Sequence, residues 1–304
     1  MPKKKTPRKT TARPQISSPK KKTTPKTTRR ATVRPTSKTP AKTDLHERIG
    51  QHLQELKVSL PDEELDEILA ASEQTQTSYL DFLERVLSGP AIRRRENGIA
   101  RRIRQAGFRN ESTLEHFNWN FNAASIDRAQ IEQLATGDFV RRGDNLVFVG
   151  QSGLGKSHLI QAIGRSCCVH GYRARYRTSA ELLSRLGQSL ADGTTPKVVR
   201  QYSRYDLLVI DEFGFDKLER EDFPHASSLL YKVIDSRTER STALVTNIDF
   251  DTWGDYLGDP PLAMAFLDRV VDGAQIVKFR GQSYRAHRAQ KPSGDQERGA
   301  HAGD

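Results

Sequence analysis

Eight residues constrain this chain more than any others. Residues 150–157 read GQSGLGKS, after the apolar run Leu146–Val149 and before the helix-length stretch SHLIQAIGRSCCVHG. A strand, a glycine-rich turn and a helix carrying G-x-x-x-x-G-K-[ST] build a phosphate cradle. Gly150, Gly153 and Gly155 let backbone N–H groups converge on phosphate oxygens with no Cβ in the way. The helix N-terminus adds a potential that favours the anion. Lys156 is positioned to reach β and γ phosphates, and Ser157 to ligate Mg²⁺.

The second half of such a site is YDLLVIDEFG, residues 205–214. Leu207 to Ile210 suits a strand buried on both faces. Asp211 at its end can hold Mg²⁺ through water, and Glu212 is expected in the same crevice, polarising an attacking water. A glutamate here favours hydrolysis, because a kinase acting on a small molecule must exclude water. In STALVTNIDFDTW, Asn247 ends another strand and can bond the lytic water or the γ-phosphate, with Thr246 as the alternative. Arg269, on an expected helix with Phe266, Leu267 and Val270, either reaches a neighbouring subunit's γ-phosphate or pairs with Asp268 or Asp272.

From about residue 112 onward, five short strands (NLVFVG, RARYRT, DLLVID, TALVTN and AQIVKF) are separated mostly by helix-length amphipathic stretches. That alternation predicts an α/β fold, a parallel sheet with helices on both faces. The region before it reads as helices. Pro61 takes a first-turn position of one. Ser78 and Asp81 cap the next, which has an apolar face of Tyr79, Phe82, Leu83 and Val86 and stops at Gly89-Pro90. A further helix has Ile92, Ile99, Ile103 and Ala106 as its stripe and six arginines between Arg93 and Arg104. The expected organisation is a disordered arm over residues 1–43, a helical region over 44–110, an ATPase domain over 111–288 and a polar tail over 289–304.

Charge is divided unevenly. The chain has 49 Lys and Arg against 38 Asp and Glu, a net +11. Residues 1–43 hold ten Lys and five Arg and no acid, so the remainder carries 34 cations against 38 acids. The arm cannot bury enough apolar surface to fold; it is suited either to nucleic acid phosphates or to a solubilising or targeting role. Arg177, Arg185, Lys197, Arg200 and Arg204, interleaved with Tyr176, Tyr202 and Tyr205, read either as a cationic lining for DNA or as ordinary helix ends. The arginines between Arg93 and Arg104 likewise read as a DNA contact or a solvated face. Cys167 and Cys168 are adjacent, which disfavours a disulfide between them, and are expected as small buried side chains. No apolar run approaches the ~20 residues that span a bilayer, and no apolar segment follows the basic N-terminus, so neither a membrane nor a secretory route is expected.

Taken in order, GQSGLGKSHL, RYDLLVIDEFGF, IDSRTERSTALVTNIDFDTWGDYLGDPPLAMAFLDRVVDGA and FRGQSYR resemble the IstB family, the ATP-binding helpers of insertion-sequence transposases, over about residues 90–286. The family belongs to the AAA+ ATPases, near the DnaC helicase loaders and DnaA initiators. The resemblance implies a five-stranded AAA+ core, ATP and Mg²⁺ as ligands, ATP-dependent self-assembly on duplex DNA, a partner transposase and a cytoplasmic, bacterial setting. It makes Asn247 the first sensor, Arg269 a trans-acting finger, and Ala180 to Tyr205 a helical insertion lining the DNA path. A DnaC-like helicase loader and a DNA-binding protein using ATP only as an assembly ligand are the competing readings. Four features depart from the family, the first being the long cationic arm, whose role the resemblance does not supply. VVDGA follows Arg269 where histidines are usual. Arg237-Thr238-Glu239 stands where Arg-Tyr-Glu is expected. No lid domain supplies a second sensor arginine, a role for which Arg285 in GQSYR is the substitute.

Overall fold

A computed structural model describes residues 42–109, 112–215 and 225–290. The expected arm and tail fall outside them except at their inner edges. The chain divides into two compact units, Met1–Glu55 and Leu56–Asp304. In the first, the described element is helix α1, Lys42–Glu55.

The second unit opens with α2 (Asp62–Thr75), whose first turn holds Asp62, Glu63 and Glu64 beside the positive end of the helix. Pro61 precedes that turn rather than lying inside it. It is the N-cap, with ψ 149°, and its carbonyl accepts from Leu65 N at 3.1 Å. Helix α3 (Tyr79–Ala106) is capped as expected: Ser78 Oγ accepts from Asp81 N and donates to the Asp81 carboxylate at 2.6 Å. It does not stop at Gly89-Pro90 but runs 28 residues. A proline removes one donor and crowds the preceding turn, yet the helix continues through the pair, and α2 packs against it there. Arg93 bridges to Glu64 at 2.9 Å and donates to Ser59 O at 2.7 Å. Gly89 permits this approach, since a Cβ there would lie 2.8 Å from Glu64 Oε1. The expected apolar stripes are only partly used: Phe82, Val86, Ile99, Ile103 and Ala106 are covered, whereas Tyr79, Leu83 and Ile92 are exposed.

The core follows as α4 (Arg128–Ala135), α5 (Asp138–Arg142), β1 (Leu146–Val149), α6 (Lys156–Val169), β2 (Ala174–Thr178), α7 (Ser179–Ala191), α8 (Thr195–Ser203) and β3 (Leu207–Phe213). It continues with α9 (Ala226–Asp235), β4 (Ser241–Thr246), α10 (Trp253–Leu257), α11 (Pro260–Val271), β5 (Gln275–Lys278) and α12 (Tyr284–Gln290). All five expected strands are present, and they form one parallel sheet in the order β2-β3-β4-β1-β5. Alternate residues feed two cores. Leu146 and Phe148 of β1 pack with α4, α5, α6 and the end of α3; Val147 and Val149 pack with α7 to α11. This is a parallel α/β core flanked by helices on both faces, with the glycine-rich loop joining β1 to α6. Cys167 and Cys168 are fully buried in α6, and burial pushes the Cys167 thiol up to about 12. Arg237 is a buried clamp: it donates to Tyr205 O at 3.0 Å, Ser241 O at 2.6 Å and Thr242 Oγ1 at 3.1 Å, tying the end of α8 to β4. Among the described residues no helix is long and apolar enough to cross a membrane.

Candidate functional site

In a parallel sheet the carboxyl ends of the strands share one edge, and ligands bind in the crevice there. Here that edge holds a cavity of about 320 Å³. Gly153, Gly155, Lys156, Ser157, Asp211, Glu212 and Thr246 line it. The cradle glycines have a second reason beyond phosphate approach. Gly155 sits at φ 88°, and a Cβ on it would lie 2.7 Å from the Phe117 ring. Gly153, at φ 83°, is closed over by Ser283.

Lys156 is the first residue of α6 and is buried, with Nζ donating to Gly150 O at 2.5 Å and Gln151 O at 2.7 Å. Burial lowers its pKa to about 8; Asp211 opposes that shift and Arg285 adds to it. The Ser157 hydroxyl donates to Asp211 Oδ1 at 3.2 Å, and Glu212 N donates to the same oxygen at 2.8 Å. The other carboxylate oxygen accepts from the Tyr176 hydroxyl at 2.8 Å. A hydroxyl beside a single carboxylate fits Mg²⁺, which takes one or two protein oxygens and completes its shell with phosphates and water. Among the described residues no cluster of three or more His, Cys, Asp or Glu offers an alternative metal site.

Neighbours in a regular strand face opposite sides of the sheet, so Asp211 and Glu212 should not share a crevice. A bulge brings them together. The β3–β4 register slips between Ile210 and Phe213, and Glu212 adopts φ 59°. Asp211 stays buried while the Glu212 side chain emerges into the cavity. Bulges and positive φ at a non-glycine residue concentrate where a side chain has to be re-aimed.

Of the two sensor alternatives, Thr246 lines the cavity and spends its hydroxyl on Phe213 O at 2.9 Å. Asn247 lies just beyond the lining, and its buried Oδ1 has no hydrogen-bond partner among the described residues. Gly150 also lies outside the lining. Arg269 is on α11, away from the cavity, exposed, and paired with Asp235 of α9 at 3.1 Å rather than with Asp268 or Asp272.

Spacing alone did not reveal the remaining walls. FRGQSYR folds back over the cradle: Phe279 N donates to Val149 O at 2.7 Å and Tyr284 N to Gly153 O at 2.9 Å. The Asn122 amide grips Gln282 from both sides, donating to its carbonyl at 2.8 Å and accepting from its N–H at 3.0 Å. Arg285 thereby joins the lining, with His116, Phe117, Phe121 and Tyr284 as an aromatic wall. Phe121 and Tyr284 meet edge-on at 5.0 Å. The sequence signal was present, since EHFNWNF places four aromatic rings within residues 116–121.

The cationic candidates separate. Lys197, Arg200 and Arg204 share a groove on α8 with Arg173 and Tyr205, and Arg185 stands exposed on α7. Arg177 is half-buried in β2, where it donates to Tyr176 O at 2.9 Å and bonds the Tyr202 side chain. Tyr176 and Tyr202 are buried, so neither ring belongs to a solvent-facing lining. Apolar packing claimed both rings.

The chain is 30% identical over 241 residues, 79% of its length, to the ATP-binding protein of insertion sequence IS232 from Bacillus thuringiensis subsp. berliner, covering 94% of that protein. It is 29% identical over 242 residues to the corresponding protein of IS5376 from Geobacillus stearothermophilus, covering 79% of this chain and 94% of that one. Among solved structures it is similar to DnaI, with a TM-score of 0.47 and 18% identity over 56% of this chain and 92% of that one. The family described as IstB-like ATP binding protein matches residues 51–292. With the cradle, the acid pair and the five-stranded core in place, the chain belongs to the IstB-like ATP-binding proteins.

Proposed function

We propose that this protein is a Mg²⁺-dependent ATPase that assembles with copies of itself on duplex DNA and delivers that DNA to a partner transposase. The observation that carries the reading is the meeting of Lys156, Ser157, Asp211 and Glu212 at one cavity on the carboxyl edge of the sheet. Lys156 exchanges the carbonyls of Gly150 and Gln151 for phosphate oxygens, and the first-turn amides of α6 hold the rest of the triphosphate. Ser157 and Asp211 hold Mg²⁺, which when bound neutralises charge developing on the phosphates. Glu212 accepts a hydrogen bond from water and aims it in line with the terminal phosphate. Asn247, whose Oδ1 has no partner among the described residues, holds the far side of that water.

Arg269 lies outside its own cavity, so the phosphate it serves belongs to a neighbouring copy. DNA lies along the α8 groove, where Lys197, Arg200 and Arg204 contact phosphates. A second groove supports a longer track. Lys57, Arg94 and Arg101 line it together with the pinned Arg93, and no acid is among its walls. Such cations position a duplex without reading bases. The relatives are ATP-binding proteins of insertion sequences, and a transposase is the partner that such a setting calls for.

Glu212→Gln tests the reading. The variant should bind ATP normally, lose about 10²–10⁴-fold in turnover, and persist on duplex DNA in electron micrographs taken with ATP. Wild-type turnover would remove Glu212 from the chemistry, and indifference to DNA at saturating ATP would sink the assembly reading. Stimulation of a ring helicase instead of a transposase would convert the proposal to a loader.

A further inference from the structure

We propose that Tyr176 is a positioning residue for the Mg²⁺ site, acting through Asp211; the inference rests on the ATPase reading above. Tyr176 lies on β2, whose register sets Tyr176 against Val209 and Thr178 against Asp211 of β3. Its ring is 2% exposed and tilts against Phe108 at 6.1 Å between centroids. At the end of this apolar packing its hydroxyl meets Asp211 Oδ2 at 2.8 Å, a buried bond.

An ionised carboxylate only accepts hydrogen bonds, and a tyrosine hydroxyl has one hydrogen to give. With that hydrogen committed to Oδ2, the two carboxylate oxygens become unequal. Oδ2 is held toward β2, and Oδ1 faces the cradle, taking Ser157 Oγ at 3.2 Å and Glu212 N at 2.8 Å. The oxygen left toward Ser157 is the one a cation shared by Ser157 and Asp211 requires. A carboxylate without the tyrosine bond would rotate about its χ2 bond and present either oxygen at either angle. Phenylalanine fills the same volume and packs equally well on Phe108, so packing alone gives no reason for the hydroxyl. Groups that orient a metal's ligands are worth about 10–100-fold in metal affinity.

The test is Tyr176→Phe, read by equilibrium binding of a fluorescent ATP analogue during a Mg²⁺ titration. The Mg²⁺ midpoint should rise about tenfold, while analogue affinity in excess chelator stays at the wild-type value. In steady state the same variant should recover most of its kcat at high Mg²⁺. A Mg²⁺ midpoint equal to wild type overturns the proposal. So does a matching loss of affinity in chelator, which marks a general packing defect. In an Asp211→Asn background, Tyr176→Phe should shift the midpoint no further; additive shifts place the tyrosine's effect elsewhere. Wild type that binds nucleotide with no response to Mg²⁺ overturns the Mg²⁺-dependent ATPase reading and the tyrosine's role with it, whereas a wild-type response left unshifted by Tyr176→Phe overturns the tyrosine's role alone.

Discussion

Lys156 shows how one residue ties the resting site to its ligand. Its ammonium rests on two carbonyls of its own loop, and burial holds its pKa near 8. A triphosphate beside it raises that pKa, so above pH 8 the bound form carries a proton that the free form has lost. Affinity is therefore flat below pH 8, where the lysine is charged in both states, and falls as pH rises through 8. The expected loss is about tenfold per pH unit until the bound-state pKa is reached. Calorimetry at pH 9 in buffers of different ionisation enthalpy should report uptake of up to one proton per nucleotide; none at pH 9 would mean the lysine stays charged in the free protein. Lys156, Ser157 and Asp211 were legible because cradle and strand-end acid are local patterns. Glu212 was legible as a residue but not as a geometry, because the bulge that re-aims it is a mismatch with β4, a partner more than 25 residues away in the chain. Tyr176 was legible only as one of three tyrosines among basic residues, because its partner lies across the sheet and only the register of β2 on β3 reveals it.

At the level of elements, the strands were the most readable part of the chain. Leu146–Val149 and Leu207–Ile210 are buried throughout and read as short continuous apolar runs, as strands buried on both faces do; Ser241–Thr246 is buried throughout as well, with an apolar centre between polar ends. Helix ends were less readable: Gly89-Pro90 reads as a stop, yet α3 continues through it, and Arg93 just beyond the pair is tied to Glu64 of α2. The FRGQSYR segment gained a physical account only from its contacts. It is a strap over the cradle, latched by one side chain, Asn122. Asn122→Ala removes both latch bonds at a partly exposed position, where each is worth about 1 kcal/mol. Nucleotide affinity should fall about tenfold as Tyr284 and Arg285 leave the lining, with the melting temperature of the nucleotide-free protein lowered by only a few degrees. Fluorescence titration and thermal melts check the pair of effects. Unchanged affinity would mean the strap holds its place without the latch.

The whole molecule poses the question of how many chains make one active site. Arg269 lines a groove of its own with Phe250, Leu267 and Asp272, separate from the nucleotide cavity, and its partner is Asp235. An exposed pair of this kind contributes little to stability, so exchanging Asp235 for a neighbour's phosphate is energetically easy. If the arginine acts in trans, two defective chains can repair each other. Glu212→Gln has a dead site and an intact finger; Arg269→Ala has an intact site and no finger. Each alone should bind ATP and turn it over at a small fraction of the wild-type rate. Mixed in equal amounts on duplex DNA, head-to-tail interfaces pair an intact site with an intact finger about one time in four, so turnover should recover to roughly a quarter of wild type. A finger acting within its own chain predicts no recovery at any mixing ratio, because every intact site would then sit in a chain that lacks its arginine. The ratio at which recovery peaks carries further information. Sites that act independently give a maximum at equal amounts, and a ring in which one dead site stalls its neighbours shifts the maximum toward an excess of Arg269→Ala. Steady-state phosphate release across a series of mixtures separates these outcomes.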